Sequence, residues 1–291
     1  MKEATRGPVQ VQGEVLSNKR AGAHQHLSLV APGVAERFRP GNVVALAVGG
    51  PMSDRLLRRG LPVYRVRATA AYRSTVEVVF AVGDPGHEWL AGLGAGAPVD
   101  VVGPLGRPFA LPKDPVACTL VGHGAAAAPL FGLAERLRER GCAVHMVLGG
   151  ASDRDIFGAL EAKRAAKTVV VTTEDGSLGM PGGVAAVLPD LLGRTATDVV
   201  YAAGPAAMLH EVAATAEQHG AWSQTALATT LVCATGACQA CVVPVVGEDG
   251  VSRMVRACTE GPVFRGDRVR WADIGTVPAD TWGAPGAEER Q

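Results

Sequence analysis

The chain has 291 residues, and its 28 Lys and Arg balance 28 Asp and Glu, so no net field draws it to nucleic acid or to an anionic membrane. Hydrophobic residues at 47% and charged residues at 19% exclude a disordered chain, and the length predicts two or three domains. The longest apolar stretch, residues 116–134, carries His123 and Pro129 and reads as strand, loop and helix start rather than a membrane span. The first fifteen residues lack the apolar core of a secretory signal, and a cytoplasmic protein is expected.

In chain order, the first third offers six short β-like runs separated by turn signals: VQVQGEVLS, HQHLSLVAPG, GNVVALAVGG, LPVYRVRATA, STVEVVFAVG and APVDVVGPLG. Such spacing predicts an antiparallel barrel or sandwich over residues 1–111. From residue 112 the pattern changes. VACTLVG is a buried-strand run, and APLFGLAERLRERG follows it with a helical apolar face. CAVHMVLGG, a helix around 155–163, TVVVTT, DVVYAAGP and AAMLHEVAATAEQHG continue the alternation, which predicts a parallel α/β domain over 112–222. Residues 223–275 are small, cysteine-rich and β-like, and 276–291 form a polar, Gly- and Pro-containing tail expected to be poorly ordered. The fold class expected is therefore multidomain α+β.

Four of the six cysteines cluster as C-x4-C-x2-C-x16-C, at Cys233, Cys238, Cys241 and Cys258. This is the plant-type spacing for a [2Fe–2S] cluster, in which one loop supplies three thiolates and a remote cysteine the fourth. The residues inside the loop are mostly small, so backbone N–H groups can approach the sulfurs. Two strand-like runs joined by GEDG predict a hairpin that returns Cys258 to the loop. Zinc accepts the same four thiolates but usually takes them as two close pairs, and the second pair is missing here. Cys118 and Cys142 sit in apolar runs and read as buried core residues.

The run Gly122-His123-Gly124-Ala125-Ala126-Ala127 satisfies G-x-G-x-x-G/A after a predicted strand and before a helix. Such a turn lets a dinucleotide pyrophosphate approach the backbone, although a plain strand–helix turn has the same appearance. Asp153 and Asp155 are candidates for a ribose-binding acid, while Arg154 between them points the opposite way, so the choice between NAD and NADP stays open.

The order of barrel, α/β domain and cysteine domain resembles the electron-transfer subunit of type B dihydroorotate dehydrogenase, a branch of the ferredoxin–NADP reductase-like flavoproteins. Nearly the whole chain carries the resemblance, through LLRRGLPVYRV, VVGPLG, LVGHGAAAAP, TTEDGSLGMPGGV, YAAGPAAML, CATGACQACVV and CTEGPVFRGDRV. It implies FAD on the barrel, NAD(H) as substrate on the α/β domain, and a cluster that serves an FMN-containing catalytic dehydrogenase subunit in pyrimidine biosynthesis. By this resemblance, Arg59, Gly60, Leu61 and Pro62 form the flavin strand. Gly86 and His87 form a phosphate turn, and Gly103, Leu105 and Gly106 flank the flavin. Gly122, Gly124 and Ala126 face a pyrophosphate, and Gly204 and Pro205 face the nicotinamide.

Departures from the family pattern are specific. Arg-Pro-hydrophobic-Ser becomes Arg59-Gly60-Leu61-Pro62, and the Gly-x-Gly-Thr turn becomes Gly83-Asp84-Pro85-Gly86-His87. Ala126 adds a methyl to the glycine loop, and Ala203 replaces the cysteine before Gly204-Pro205. All four cluster cysteines are intact. Two alternatives follow: a non-catalytic cluster-binding or regulatory module that has lost NADH reactivity, or an electron-transfer subunit for a different oxidoreductase.

Overall fold

In the computed structural model, residues 7–50, 53–55, 57–67, 74–229 and 231–284 are described; Leu56 of the flavin-strand segment and residues 285–291 of the tail lie outside this set. The six expected β-runs become β1 (Val9–Ala21), β2 (His24–Val30), β3 (Val43–Leu46), β4 (Arg59–Arg67), β5 (Thr75–Ala81) and β6 (Pro98–Leu105). They close a barrel in the order β1-β2-β5-β4-β3-β6, every pairing antiparallel. Inward-facing Val, Leu and Phe side chains such as Leu27, Leu29, Val76, Val78 and Val101 fill it, and closure leaves no strand edge.

A short helix, α1 (Pro85–Ala91), covers the barrel between β5 and β6. In the sequence, residues 83–87 look like a turn, and the helix begins within them. Asp84 at its N-cap and Pro85 at its first position are what start it. Asn18 holds its far end by donating to the carbonyls of Leu90, Ala91 and Leu93.

The α/β part runs β7 (Ala117–His123), α2 (Ala128–Glu139), β8 (Ala143–Gly150), α3 (Ala159–Ala165), β9 (Thr168–Thr173), β10 (Met180–Pro181), α4 (Leu188–Thr195), β11 (Val199–Gly204), α5 (Ala206–Gln218) and β12 (Trp222–Leu227). Residues 153–155 form a separate 3-10 turn closed by Ser152 and Asp155, so the helix expected around 155–163 begins later, after Gly158. Then come the hairpin β13 (Val242–Val246) and β14 (Ser252–Arg256), and finally β15 (Val263–Arg265).

The central sheet has the order β10-β9-β8-β7-β11-β12-β15. β7 is central, with the chain winding first through β8 and β9 and then across to β11, so the switch point lies at the C-terminal ends of β7 and β11. The boundary expected at 222/223 falls at the first residue of β12. β12 pairs in parallel with β11 along its full length and belongs to the α/β sheet, and β15 from the cysteine-rich segment adds antiparallel to β12. The third domain is thus stitched into the second.

Side chains on β4 also join the barrel to the α/β part. On β4, Arg65 pairs with Glu135 of α2 and Glu161 of α3, and the Tyr64 hydroxyl also donates to Glu161. Tyr64 lies edge-on to Phe131 and Phe157, with centroids 5.9 and 5.3 Å apart. The described part of the tail packs on the third part: Thr281 is buried, the Trp282 amide donates to Ser252 O at 2.8 Å, and Arg270 pairs with Asp280.

Candidate functional site

A cleft of about 310 Å³ opens between the barrel and the α/β sheet. Its barrel wall is β4 and β5, through Arg59, Gly60, Leu61, Pro62, Val79 and Phe80; Asp84 and His87 close one end. Ala125, Ala126, Pro129 and Ala203 line the opposite wall, at the switch point. A mostly apolar slot with a few polar groups at one end suits a flat aromatic ring carrying a polar tail.

The structure thus brings Arg59, Gly60, Leu61, Pro62, His87 and Ala126 into one cavity. Gly86 lies directly beneath Arg59, where an added Cβ would come within 2.6 Å of Arg59 Nε. Gly103, Leu105 and Gly106 sit at the end of β6, with the carbonyls of Leu105 and Gly106 accepting from Asn42 Nδ2 at 3.2 and 2.9 Å. Gly122 is packed on Ala127, and Gly124 opens the 3-10 turn before α2. Gly204 ends β11, with Pro205 at the N-cap of α5. Asp155 is engaged by Ser152 in its own turn.

Asp84, Phe80 and the 226–231 segment were not singled out in the sequence. The readable signal for Asp84 was the Asp-Pro pair that starts a helix. Its Oδ1 accepts from the Gly86 amide at 2.6 Å, the His87 amide at 3.1 Å and Arg59 Nε at 3.0 Å, and its Oδ2 lies 2.9 Å from His87 Nδ1. Burial opposes the charge, but the His87 amide, the Arg59 guanidinium and the Gly86 amide hold this carboxyl below its usual range. His87, stacked on Phe80 at 5.4 Å, is lowered by burial, which the neighbouring Asp84 only partly offsets.

The cysteine loop meets the cleft directly. The Gly60 amide donates to Leu231 O at 2.7 Å, and Leu231 itself lines the cavity. Any Cβ at Gly60 would come within 2.6 Å of Leu231 Cβ and 2.8 Å of Ala234 Cβ. A proline there would also lack the donated N–H, so this departure from the family motif fits the contact made. On the other side, the Arg107 amide donates to Gly261 O, and Gly106, at φ +72°, packs against Gly261 and Pro262.

Cys233, Cys241 and Cys258 are buried and Cys238 is half-buried. Ala234, Gly236 and Gln239 adopt positive φ, which curls the loop. The Cys238 amide donates to Cys233 Sγ at 3.4 Å. Cys238 neighbours Cys233, and both Cys241 and Cys233 act on Cys258, so the loop and the remote cysteine share one neighbourhood. Burial disfavours the Cys233 thiolate, yet the amides of Cys238 and Thr235 draw its pKa down. Cys258 is pushed up by burial and by Cys241 beside it.

The model for the iron-sulfur cluster binding domain of dihydroorotate dehydrogenase B matches residues 229–270. Across the longer chain, the NAD(+)-dependent dihydroorotate dehydrogenase B electron transfer subunit of Desulforamulus reducens is 30% identical over 84% of this chain and 92% of its own. The chain belongs to the family of dihydroorotate dehydrogenase B electron transfer subunits. The subunit of Enterococcus faecalis is 32% identical over 81% of this chain and 88% of its own. Among solved structures, a chain of the NADH-dependent reduced ferredoxin-NADP oxidoreductase superposes with a TM-score of 0.75 and 29% identity over 91% of both chains. The cytochrome b5 reductase domain of Ulva prolifera nitrate reductase, at 14% identity and a TM-score of 0.58, shares the fold over 73% of this chain. Among the described residues no helix is long and apolar enough to cross a membrane.

Proposed function

We propose that the chain relays electrons between a nicotinamide, FAD in the interdomain cleft and a [2Fe–2S] cluster on Cys233, Cys238, Cys241 and Cys258, and delivers them to an FMN-containing dihydroorotate dehydrogenase catalytic subunit in the cytoplasm. The observation that carries this reading is the direct seating of the cysteine loop on the flavin strand, through the Gly60–Leu231 hydrogen bond. FAD exchanges two electrons as a hydride and a [2Fe–2S] cluster one at a time, so together they couple a nicotinamide to single-electron transfer.

The chain's own residues divide the work. Leu61, Pro62 and Phe80 give the cleft an apolar wall that keeps water from a ring lying along β4. Pro62 brings no hydroxyl to that ring, so a hydrogen bond worth roughly 0.5–1.5 kcal/mol is not made. Ala203 and Ala126 form the face from which a nicotinamide would approach. In the cysteine loop, inward amides stabilise sulfur charge and favour thiolate over thiol.

The test is an anaerobic purification followed by an absorption spectrum and metal analysis. The expected result is combined flavin and iron–sulfur absorption, with iron and acid-labile sulfide in equal amounts and a low-potential cluster, near about −400 mV as for plant-type centres. Zinc without iron would overturn the cluster assignment. Co-expression with a dihydroorotate dehydrogenase catalytic subunit should give a stable complex containing FMN, and failure of the two to co-purify would overturn the partner.

A further inference from the structure

The polar end of the cleft contains its own anion. Arg59 is the cation on the flavin strand, and Gly86 and His87 supply the amides at the adjacent turn; these are the donors that a dinucleotide's diphosphate needs. Asp84 already uses all three. Its carboxylate takes Arg59 Nε at 3.0 and 3.2 Å, the Gly86 amide at 2.6 Å and the His87 amide at 3.1 Å. His87 Nδ1 adds a fourth contact at 2.9 Å. The other side of the Arg59 guanidinium is tied to the backbone, with Nη1 donating to Leu57 O and Arg58 O. Pro85 fixes the turn, and the close fit of Arg59 over Gly86 leaves the carboxylate and guanidinium seated together at the cavity wall.

We propose that Asp84 is an internal competitor for the flavin diphosphate, so that this chain holds its flavin mainly by the ring and keeps the diphosphate end weakly bound. The inference rests on the flavin reading given above. A diphosphate entering beside Asp84 meets a like charge and finds Arg59 Nε and the Gly86 and His87 amides already engaged. It must therefore displace the carboxylate from Arg59, or dock without the two amides and reach Arg59 through Nη2 alone. The apolar slot formed by Leu61, Pro62 and Phe80 has no such competitor. Selectivity between flavins then follows. A flavin with a diphosphate gains little over one without, and bound FAD exchanges with solution.

The experiment compares the wild-type full chain with Asp84→Asn. Asparagine keeps the N-cap, since its side-chain oxygen still accepts from the Gly86 and His87 amides, but it removes the charge that holds Arg59. Both proteins are freed of flavin by gel filtration at high salt and titrated with FAD and, separately, with riboflavin, following flavin fluorescence. Thermal unfolding of both checks that the cap is kept. The expected result is FAD binding at least about tenfold tighter in Asp84→Asn, with riboflavin affinity within about twofold of wild type.

Riboflavin binding with FAD affinity unimproved or reduced overturns the inference and leaves the flavin reading standing, because Asp84 is then only a helix cap. Stoichiometric FAD retained by the wild type through gel filtration overturns it as well. Quenching by neither flavin, with either protein, overturns both readings together.

Discussion

At the scale of single residues, the neighbouring arginines at the start of β4, Arg58 just before it and Arg59 as its first residue, have separate tasks. Arg58 Nη1 reaches Asp100 Oδ1 at 2.6 Å and donates to carbonyls of Ala45 and Asp100, which ties β4 to β3 and β6. Arg59 faces the cleft. Arg58→Ala should therefore lower thermal stability by about 1 kcal/mol and leave FAD affinity unchanged, whereas Arg59→Ala should weaken FAD binding about tenfold by leaving Asp84 opposite the diphosphate without its cation. Equal effects of the two on flavin binding would show that the wrong arginine has been assigned. Glu77 on β5 supplies a pH prediction. Although its burial favours the neutral acid, a hydrogen bond to His26 and the charge of Arg67 depress its pKa. A depressed carboxyl contributes stability above its unfolded-state value and loses it as pH falls through the folded-state value. Acid unfolding followed by circular dichroism should begin at lower pH than in a chain lacking this network. Glu77→Gln should flatten the acid limb and cost about 1–3 kcal/mol at neutral pH.

At the scale of elements, the cysteine loop and the strand beneath it form one functional unit. Cys238→Ser should abolish iron–sulfur absorption and leave the barrel folded, since the barrel's ladders are formed among its own six strands and Leu231 meets β4 through an isolated bridge to Gly60. Gly60→Ala is the sharper probe. The new methyl would press on Leu231 and Ala234, and the loop must shift by tenths of an ångström or more. Flavin and cluster should both remain visible, while rapid mixing should show electron transfer between them slowed about tenfold; an unchanged rate would show that the route does not depend on this contact. These elements differ in how plainly the sequence announces them. Each barrel strand is a run of β-branched and apolar residues between turn signals, and all six were legible. The cysteine spacing is a local pattern, so the candidate cluster site was legible as well. By contrast, α1 has only seven residues, and its Asp-Pro-Gly start looks like a bare turn. The role of Gly60 depends on atoms far along the chain, which no local window contains.

The whole molecule sets two sites against one another across the cleft, and this arrangement depends on pairings between distant segments. β15 completes the sheet only after the cysteine hairpin has folded back, which explains why a boundary drawn at 222/223 cut through the sheet. Composition marks where helix–strand alternation ends, but not which edge a later strand will join. The barrel is joined to helices α2 and α3 of the α/β part through Arg65, Tyr64, Glu135 and Glu161. A nicotinamide approaching from the switch point meets Ala126 and Ala203. Ala126 adds bulk where the family's loop has glycine, and Ala203 stands where the family has cysteine. Hydride transfer needs near-attack geometry, and a displacement of about 1 Å costs roughly a hundredfold in rate. The cluster loop carries no comparable change. Reduction by NADH should accordingly be slow relative to electron transfer from the cluster to the partner. In anaerobic stopped-flow mixing with NADH, the wild type should bleach its flavin slowly, and Ala126→Gly with Ala203→Cys should bleach it at least about tenfold faster. Fast bleaching by the wild type, unaltered by the double replacement, would show that these methyl-sized changes leave the approach of the nicotinamide intact.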